Sequence, residues 1–116
     1  MLLDVNSKRK GSAGERLAAV EWRAAGFSEA RRRLTREEAR TEDADGIDLI
    51  GTDRYRCQVK FSRRPDPLAA LAQIEAPEGT VPLAMVRKVG AYERLGWTIT
   101  MRWKDFVECV LRTRPT

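Results

Sequence analysis

Residues 47–61 carry the pattern that most constrains the fold of this chain. Residues 47–50 are a short, mostly apolar run that ends at the turn-forming segment 51–54. Residues 55–61 then alternate apolar and polar side chains with a period of two. This pattern predicts two strands joined as a β-hairpin, the second with one buried face and one polar face.

The polar face of the second strand carries the residues of chemical interest. Gln58 and Lys60 are two residues apart and stand side by side on it, whereas Cys57 and Val59 belong to the opposite, buried face. Asp48 lies on the neighbouring strand. A carboxylate, an amide oxygen and an ammonium group in this arrangement can hold a divalent cation against a phosphate.

Length and composition bound the class of protein. The 116 residues predict a single domain, 1–116, with an ordinary hydrophobic core. No apolar run approaches the roughly 20 residues that span a bilayer, so no membrane association is expected. Residues 1–4 are too short and too quickly acidic for a secretory signal, which predicts a cytoplasmic protein or a phage protein acting in the host cytoplasm.

The chain contains no histidine, and this absence removes several kinds of chemistry. Ser-His-Asp and Cys-His catalysis, histidine-ligated zinc and histidine-metal nucleases are all excluded. Cys57 and Cys109 are far apart and lack metal-ligand spacing, and both are expected to be small buried hydrophobic residues. Any hydrolytic activity must therefore use carboxylates, lysine and a cation bound through oxygen.

The formal net charge is +5, and arginine greatly outnumbers lysine among the basic residues. The planar guanidinium group suits bidentate phosphate binding, which favours a nucleic-acid partner. A general replacement of lysine by arginine in the source proteome explains the same composition without any functional role.

Residues 11–25 are predicted to form a helix that follows a loose basic arm, 1–10. Ser12 and Glu15 have the spacing of a capping box. An apolar stripe is expected to face the core, which places Glu15 on the opposite side of the helix, where it would need a second cleft to reach a metal. The stripe consists of Ala13, Leu17, Val20 and Ala24.

The remaining pattern predicts an α/β protein. Residues 68–75 and 104–112 favour helices, residues 80–87 favour a buried central strand, and residues 97–103 favour a further strand. Segment 27–40 is ambiguous. Local propensity favours a helix there, and the alternative is a strand near residues 30–34 followed by a loop.

Three motifs together resemble the PD-(D/E)XK nuclease superfamily. Asp48 followed by Gln58-Val59-Lys60 resembles its Asp…(Glu/Gln)-x-Lys core. Segment 10–16, with Glu15, and Gly46-Ile47-Asp48 resemble the archaeal and phage Holliday junction resolvases. The resemblance covers about residues 7–112 and implies a restriction-endonuclease-like core, a mixed central sheet of about five strands flanked by helices, with a strand near 30–34. In the usual pattern a glutamate occupies the position of Gln58.

The resemblance implies a site and a reaction. The catalytic residues would be Glu15, Asp48, Gln58 and Lys60, and Glu15, Asp48, Gln58 and the Val59 carbonyl would hold Mg²⁺, for which Mn²⁺ could substitute. Asp45 is an alternative ligand, and no organic cofactor is expected. The implied activity is cleavage of four-way DNA junctions by paired symmetric nicks, which two sites in a homodimer would supply.

Clustered basic residues are expected to contact the DNA backbone, although each cluster could instead be a solvated charged face. They are Lys8, Arg9, Lys10, Arg31, Arg32, Arg33, Arg36, Arg63 and Arg64. Three other interpretations remain open: a DNA-binding module with an inactive nuclease fold, a repair or restriction-like nuclease of the same superfamily, and a structural protein.

Overall fold

The computed structural model describes residues 2–33, 45–90 and 93–113, which form an α/β structure. The helices are α1 (Leu2–Ala24), α2 (Pro67–Ala72) and α3 (Trp103–Phe106), the last continued by a π-helical segment, Val107–Leu111. The strands are β1 (Arg31–Arg32), β2 (Leu49–Ile50), β3 (Tyr55–Ser62), β4 (Val81–Lys88) and β5 (Thr98–Met101). A 3₁₀ turn, Glu93–Leu95, precedes β5. No helix in these ranges is both long and apolar enough to cross a membrane.

The strands form two sheets. β3 and β4 are parallel, and β5 pairs antiparallel with β4, giving a mixed sheet in the order β3-β4-β5. β1 and β2 form a separate antiparallel pair. The Asp48 amide, just before β2, donates to the Cys57 carbonyl at 2.9 Å, so the pair lies beside β3 without a regular ladder. The predicted five-stranded sheet is therefore not confirmed.

The predicted turn between β2 and β3 is confirmed, whereas the predicted hairpin is not, because β2 pairs with β1 instead of β3. The backbone of the turn requires the residues found there. Gly51 has a φ of +78° and passes so close to Glu29 that a Cβ atom would overlap its carbonyl oxygen. Asp53 has a φ of +52°, a conformation that Asp and Asn tolerate better than most residues. The Thr52 hydroxyl donates to the Tyr55 carbonyl at 2.7 Å and closes the turn.

The mixed sheet is covered on both faces. On one face, Cys57 and Val59 of β3 pack in a buried cluster with Ala18, Ala19 and Trp22 of α1. On the other face, Ala70 of α2 packs against Ala84 and Val86 of β4. The parallel register places Gln58 beside Ala84 and Lys60 beside Val86, so both side chains belong to the face that α2 covers.

The prediction for α1 was wrong about where the helix begins and which side it buries. The helix begins at Leu2, so residues 2–10 are helical rather than a loose arm, and Ser12 and Glu15 are not a capping box. Leu17 is 43% exposed and Val20 is 51% exposed, so the apolar stripe faces outward. Small side chains permit the closer approach: a Cβ on Gly14 would lie 2.6 Å from the Phe61 Cβ.

The predictions for the other helices hold only in part. The helix predicted over 68–75 is found, and Pro67 occupies its first turn, where the Asp66 carboxylate caps it by accepting from the Ala69 amide at 3.0 Å. Leu68 is 72% exposed, and Ala70 is the buried residue of α2. Cys57 is fully buried as predicted, whereas Cys109 is only half-buried.

Candidate active site

The reversed orientation of α1 brings Glu15 toward Asp48. Glu15 belongs to the same side of the helix as the buried residues Ala18, Ala19 and Trp22, and its own side chain is half-buried. Burial and the nearby charge of Asp48 raise the pKa of Glu15 from its ordinary value of 4.5 to about 7. The two carboxyl groups therefore interact, and Glu15 needs no second cleft.

Asp48 is fixed directly to the Gln58-Val59-Lys60 segment. Its carboxylate oxygen Oδ2 accepts a hydrogen bond from the Val59 amide at 2.6 Å, and its own amide donates to the Cys57 carbonyl. The side chain is almost entirely buried. Because Oδ2 is held by the strand backbone, Oδ1 is the oxygen that Asp48 can offer to another group.

Gln58 is buried, and only one end of its amide is bonded. Its Nε2 donates to Oε1 of Gln73, at the end of α2, at 2.9 Å. Among the residues that the structure describes, its Oε1 has no hydrogen-bond partner. A buried acceptor of this kind calls for an explanation, and an oxygen-seeking cation is one.

Lys60 completes the motif on the same face of β3 as Gln58. Its side chain is half-buried and makes no hydrogen bond or ion pair within the described ranges. Asp48 lies between the two parts of the site, since it interacts with Glu15 beside α1 and bonds to the backbone between Gln58 and Lys60. Glu15 is on the helix that covers the opposite face of β3 from these two side chains.

These residues partly fit a metal site. Glu15, Asp48 and Gln58 all present oxygen, the ligand that Mg²⁺ prefers. No group of three or more His, Cys, Asp or Glu side chains able to hold a metal lies within residues 2–33, 45–90 and 93–113. Two carboxylates and one amide would therefore form a cation site with little negative charge, because Gln58 is neutral.

Asp45, considered as an alternative ligand, is engaged in an ion-pair cluster. Its carboxylate accepts two hydrogen bonds from Arg33, at 3.2 and 2.9 Å, and one from the Ile47 amide at 3.0 Å. The guanidinium of Arg56 lies 3.8 Å from the same carboxylate. These contacts account for both oxygens of Asp45 and favour Asp48 as the ligand.

The basic residues expected to contact DNA lie in different environments. Arg31, Arg63 and Arg64 are exposed, while Arg33 is buried in its pair with Asp45, so a phosphate contact there would have to break that pair. Arg32 is half-buried, and its charge acts on Glu15. Lys8, Arg9 and Lys10 lie on the helical backbone of α1, and Arg36 is outside the described residues.

Sequence reasoning missed Gln73, the hydrogen-bond partner of Gln58. Nothing in the pattern around residue 73 distinguishes it, because its role arises only when α2 packs on β3. Arg33 was considered for DNA and Asp45 for metal, and neither pattern shows that the two residues bind each other. Comparison with known protein families, with curated proteins and with solved structures found no match for this chain.

Proposed function

We propose that this protein is a Mg²⁺-dependent endodeoxyribonuclease with a restriction-endonuclease-like core, acting on four-way DNA junctions. The observation that carries the proposal is the hydrogen bond from the Val59 amide to the Asp48 carboxylate, and Glu15 lies close enough to Asp48 for their charges to interact. Carboxylates held close together in a partly buried place are unfavourable unless a cation or a proton compensates them. The hydrogen bond from Val59 to Asp48 attaches this pair to the Gln-x-Lys motif.

In this mechanism each side chain has one task. Asp48 and the unpartnered Oε1 of Gln58 would hold the cation, with the Val59 carbonyl as a further oxygen. A bound cation would supply charge neutralisation at the phosphate oxygens. Glu15, with a pKa of about 7, orients the attacking water and accepts its proton near neutral pH.

Lys60 contributes a positive charge where the phosphate accumulates negative charge. Its ammonium group has no partner among the described residues and can therefore turn to the phosphoryl oxygens of the transition state. The water oxygen bonds to phosphorus while its proton passes to Glu15, and the bond from phosphorus to the 3′ oxygen breaks. The 3′ oxygen takes a proton from solvent, so the products are a 3′ hydroxyl and a 5′ phosphate.

The proposed preference for junctions is supported by charge. The 116 residues carry a net charge of +5, and phosphate contacts suit recognition of DNA shape rather than of base sequence. Each chain carries one candidate site, whereas a four-way junction needs two nicks. A homodimer with both sites on one basic face would make the paired cuts.

The proposal is tested by incubating an end-labelled four-way junction, and a linear duplex of the same sequence, with the protein in Mg²⁺ and in EDTA. Asp48→Asn and Lys60→Ala are the site variants. Asp53→Asn and Lys104→Ala are the matched controls, because both residues are exposed and an asparagine suits the positive φ of Asp53. Mn²⁺ replaces Mg²⁺ in a parallel series.

Paired symmetric nicks in the junction alone, lost in EDTA and in both site variants but retained in both controls, are the expected result. Equal cutting of the linear duplex would keep the nuclease and remove the junction preference. No cutting in any metal would overturn the enzymatic proposal.

Gln58 favours one second function, a DNA-binding module that has lost catalysis. A glutamate at this position would add a negative charge to the cation site, whereas the amide adds none and is bonded to Gln73. Metal-independent binding of the junction, without nicks even in millimolar Mn²⁺, is the result that this second function predicts.

A further inference from the structure

Among the residues that the structure describes, a groove between α1 and β1 is lined by four arginines and no acidic side chain. We propose that this arginine groove binds the phosphate backbone of DNA that extends away from the candidate active site. The inference deepens the proposed function and rests on it for the location of the scissile phosphate. The groove is lined by Arg16, Ala19, Val20, Arg23, Arg31 and Arg32.

The geometry of α1 sets one wall of the groove. Arg16 and Arg23 are seven residues apart, so they lie on the same side of the helix, separated by about 10 Å along its axis. Ala19 and Val20 fall between them and leave an apolar floor, of which Val20 is half exposed. Two cations at this separation can contact different phosphates rather than a single small anion.

The other wall comes from β1 and is held in place by a side chain of α1. Nη1 of Arg23 donates to the carbonyl of Ala30, immediately before β1, at 2.8 Å. This bond fixes the distance between the walls and leaves the other donors of the guanidinium available. The resulting groove has a volume of about 580 Å³, which is large enough for more than one phosphate group.

One end of the groove is next to the candidate active site. Arg16 follows Glu15 in sequence, and the charge of Arg32 acts on Glu15 by lowering its pKa against the larger effects that raise it. From there the groove runs along α1 toward Arg23. A strand with its scissile phosphate at Asp48 would thus pass directly onto the arginines.

Charge identifies the occupant. Arg16, Arg23 and Arg32 bring like charges to one groove, and a polyanion relieves the repulsion between them. Arginine forms bidentate hydrogen bonds with phosphate, and the apolar floor suits the sugar between two phosphates. A nucleic-acid backbone meets these conditions along the length of the groove, whereas a mononucleotide would fill only part of it.

The test measures binding, separately from cleavage. Fluorescence anisotropy of a labelled junction is recorded across a salt series in EDTA, with Asp48→Asn as the parent protein. Arg16→Ala/Arg23→Ala is compared with Arg94→Ala/Arg112→Ala, which removes the same charge from exposed residues outside the groove. Arg16→Glu alone is included, because truncating Arg23 also removes its bond to Ala30 and could unfold the protein.

The salt slope of binding decides the outcome. Each lost phosphate contact reduces the slope of log K against log salt by about 0.9, so the groove double variant should lose about 2 from the slope and at least about tenfold in affinity near 0.1 M salt. Arg16→Glu should weaken binding similarly, and the control pair should change the slope by less than about 0.5. Equal losses in groove and control variants, or no binding by the parent, would overturn the proposal.

Cleavage assays on proteins that retain Asp48 distinguish a failure of the groove proposal from a failure of the nuclease proposal. If the groove variants lose binding as expected but the wild-type chain cuts no DNA in any metal, the groove remains and the nuclease proposal fails. If the wild-type chain cuts junctions, and Arg16→Ala/Arg23→Ala binds and cuts equally well, the nuclease remains and the groove fails.

Discussion

At the scale of the residue, the proposed chemistry centres on Glu15, because its pKa depends on its burial and on the charges around it. Its pKa of about 7 is raised first by burial, then by Asp48, and is lowered by Arg32. Near neutral pH this side chain is therefore divided between charged and neutral forms. The same carboxyl group can accept a proton from water or, when charged, help to attract a cation.

The raised pKa of Glu15 makes folding stability depend on pH. Because the folded-state pKa is above the ordinary value of 4.5, the stability that protonated Glu15 gives is complete below pH 4.5 and is lost as pH rises through about 7. Glu15→Gln keeps the side chain neutral and removes this loss. We expect the variant to melt about 2–5 °C above wild type at pH 8, a modest gain because the site is half-exposed to screening solvent, with no gain at pH 4.5.

Thermal melting without metal at pH 4.5, 6, 7 and 8 measures this effect. Glu21→Gln is the matched control, because it is exposed on the same helix, and its melting temperature should follow that of wild type at every pH. A constant difference between Glu15→Gln and wild type across the series would contradict the raised pKa.

Which residues could be predicted from the sequence depends on how local their roles are. Asp48, Gln58 and Lys60 were singled out from motif and spacing, and Cys57 was correctly expected to be buried. The two faces of β3 were separated correctly by alternation, but Gln58 was expected on a merely polar face and is almost fully buried. Burial of that face depends on α2, which no pattern within β3 can reveal.

At the scale of the element, α1 decides whether Glu15 and Asp48 can interact. Sequence periodicity pointed to the side with Leu17 and Val20, since these are the larger apolar residues. The structure instead buries the side with Gly14, Ala18 and Ala19, where small side chains allow the helix to lie close to β3. Hydrophobic periodicity takes no account of the van der Waals contacts that a close approach of helix and strand provides, and it therefore pointed to the wrong side of α1.

The contact between Gly14 and Phe61 gives a prediction with an unusual sign. Glycine inside a helix normally costs about 1 kcal/mol relative to alanine, so Gly14→Ala should stabilise α1 by propensity alone. A Cβ on Gly14 would lie 2.6 Å from the Phe61 Cβ, which is fixed to the strand. We expect the clash to dominate and Gly14→Ala to lower the free energy of unfolding by about 1–3 kcal/mol.

Chemical denaturation of Gly14→Ala measures this change, and Ala13→Gly is the control. Ala13 is exposed, so glycine there should cost about 1 kcal/mol through propensity. The two opposite substitutions at neighbouring positions should therefore both destabilise the protein. A more stable Gly14→Ala variant would contradict the close packing of α1 on β3.

Strands of different length were predicted with different success. β3 and β4 have eight residues each, with clear alternation or a continuous apolar run, and both were placed within one residue of their observed bounds. Strands were also predicted near 30–34 and over 47–50, and β1 and β2 lie there, but each has only two residues and they pair with each other. The predicted five-stranded sheet depended on these two short strands.

At the scale of the whole molecule, the proposed activity would require a basic chain, with one candidate site among its described residues, to cut a substrate with two-fold symmetry. The proposed homodimer solves this by placing a site on each side of the junction. Sedimentation should show a dimer at micromolar concentration, alone or on junction DNA. A monomer under both conditions would contradict the dimer.

Mixing subunits tests how the two sites share the work. Wild-type chain and Asp48→Asn chain, mixed in equal amounts and allowed to exchange, should form hybrid dimers that make one nick in a junction. Junctions cut on one strand only would then accumulate, and wild type mixed with Asp53→Asn should still make paired nicks. Paired nicks at half the total rate, with no singly nicked product, would show that one wild-type chain makes both cuts. That result would contradict the proposal that each subunit of the dimer makes one nick.

Asp48 and Gln58 are proposed to hold a divalent cation beside Glu15, and Mn²⁺ binding measured by electron paramagnetic resonance tests this most directly. Because Gln58 lacks a negative charge, we expect wild type to bind Mn²⁺ weakly, with activity rising at millimolar Mg²⁺ or with Mn²⁺. Gln58→Glu should bind about tenfold more tightly, since affinity follows the charge of the ligands. Asp48→Asn should abolish binding and Asp53→Asn should not change it, whereas absence of Mn²⁺ binding in both wild type and Gln58→Glu would contradict the account.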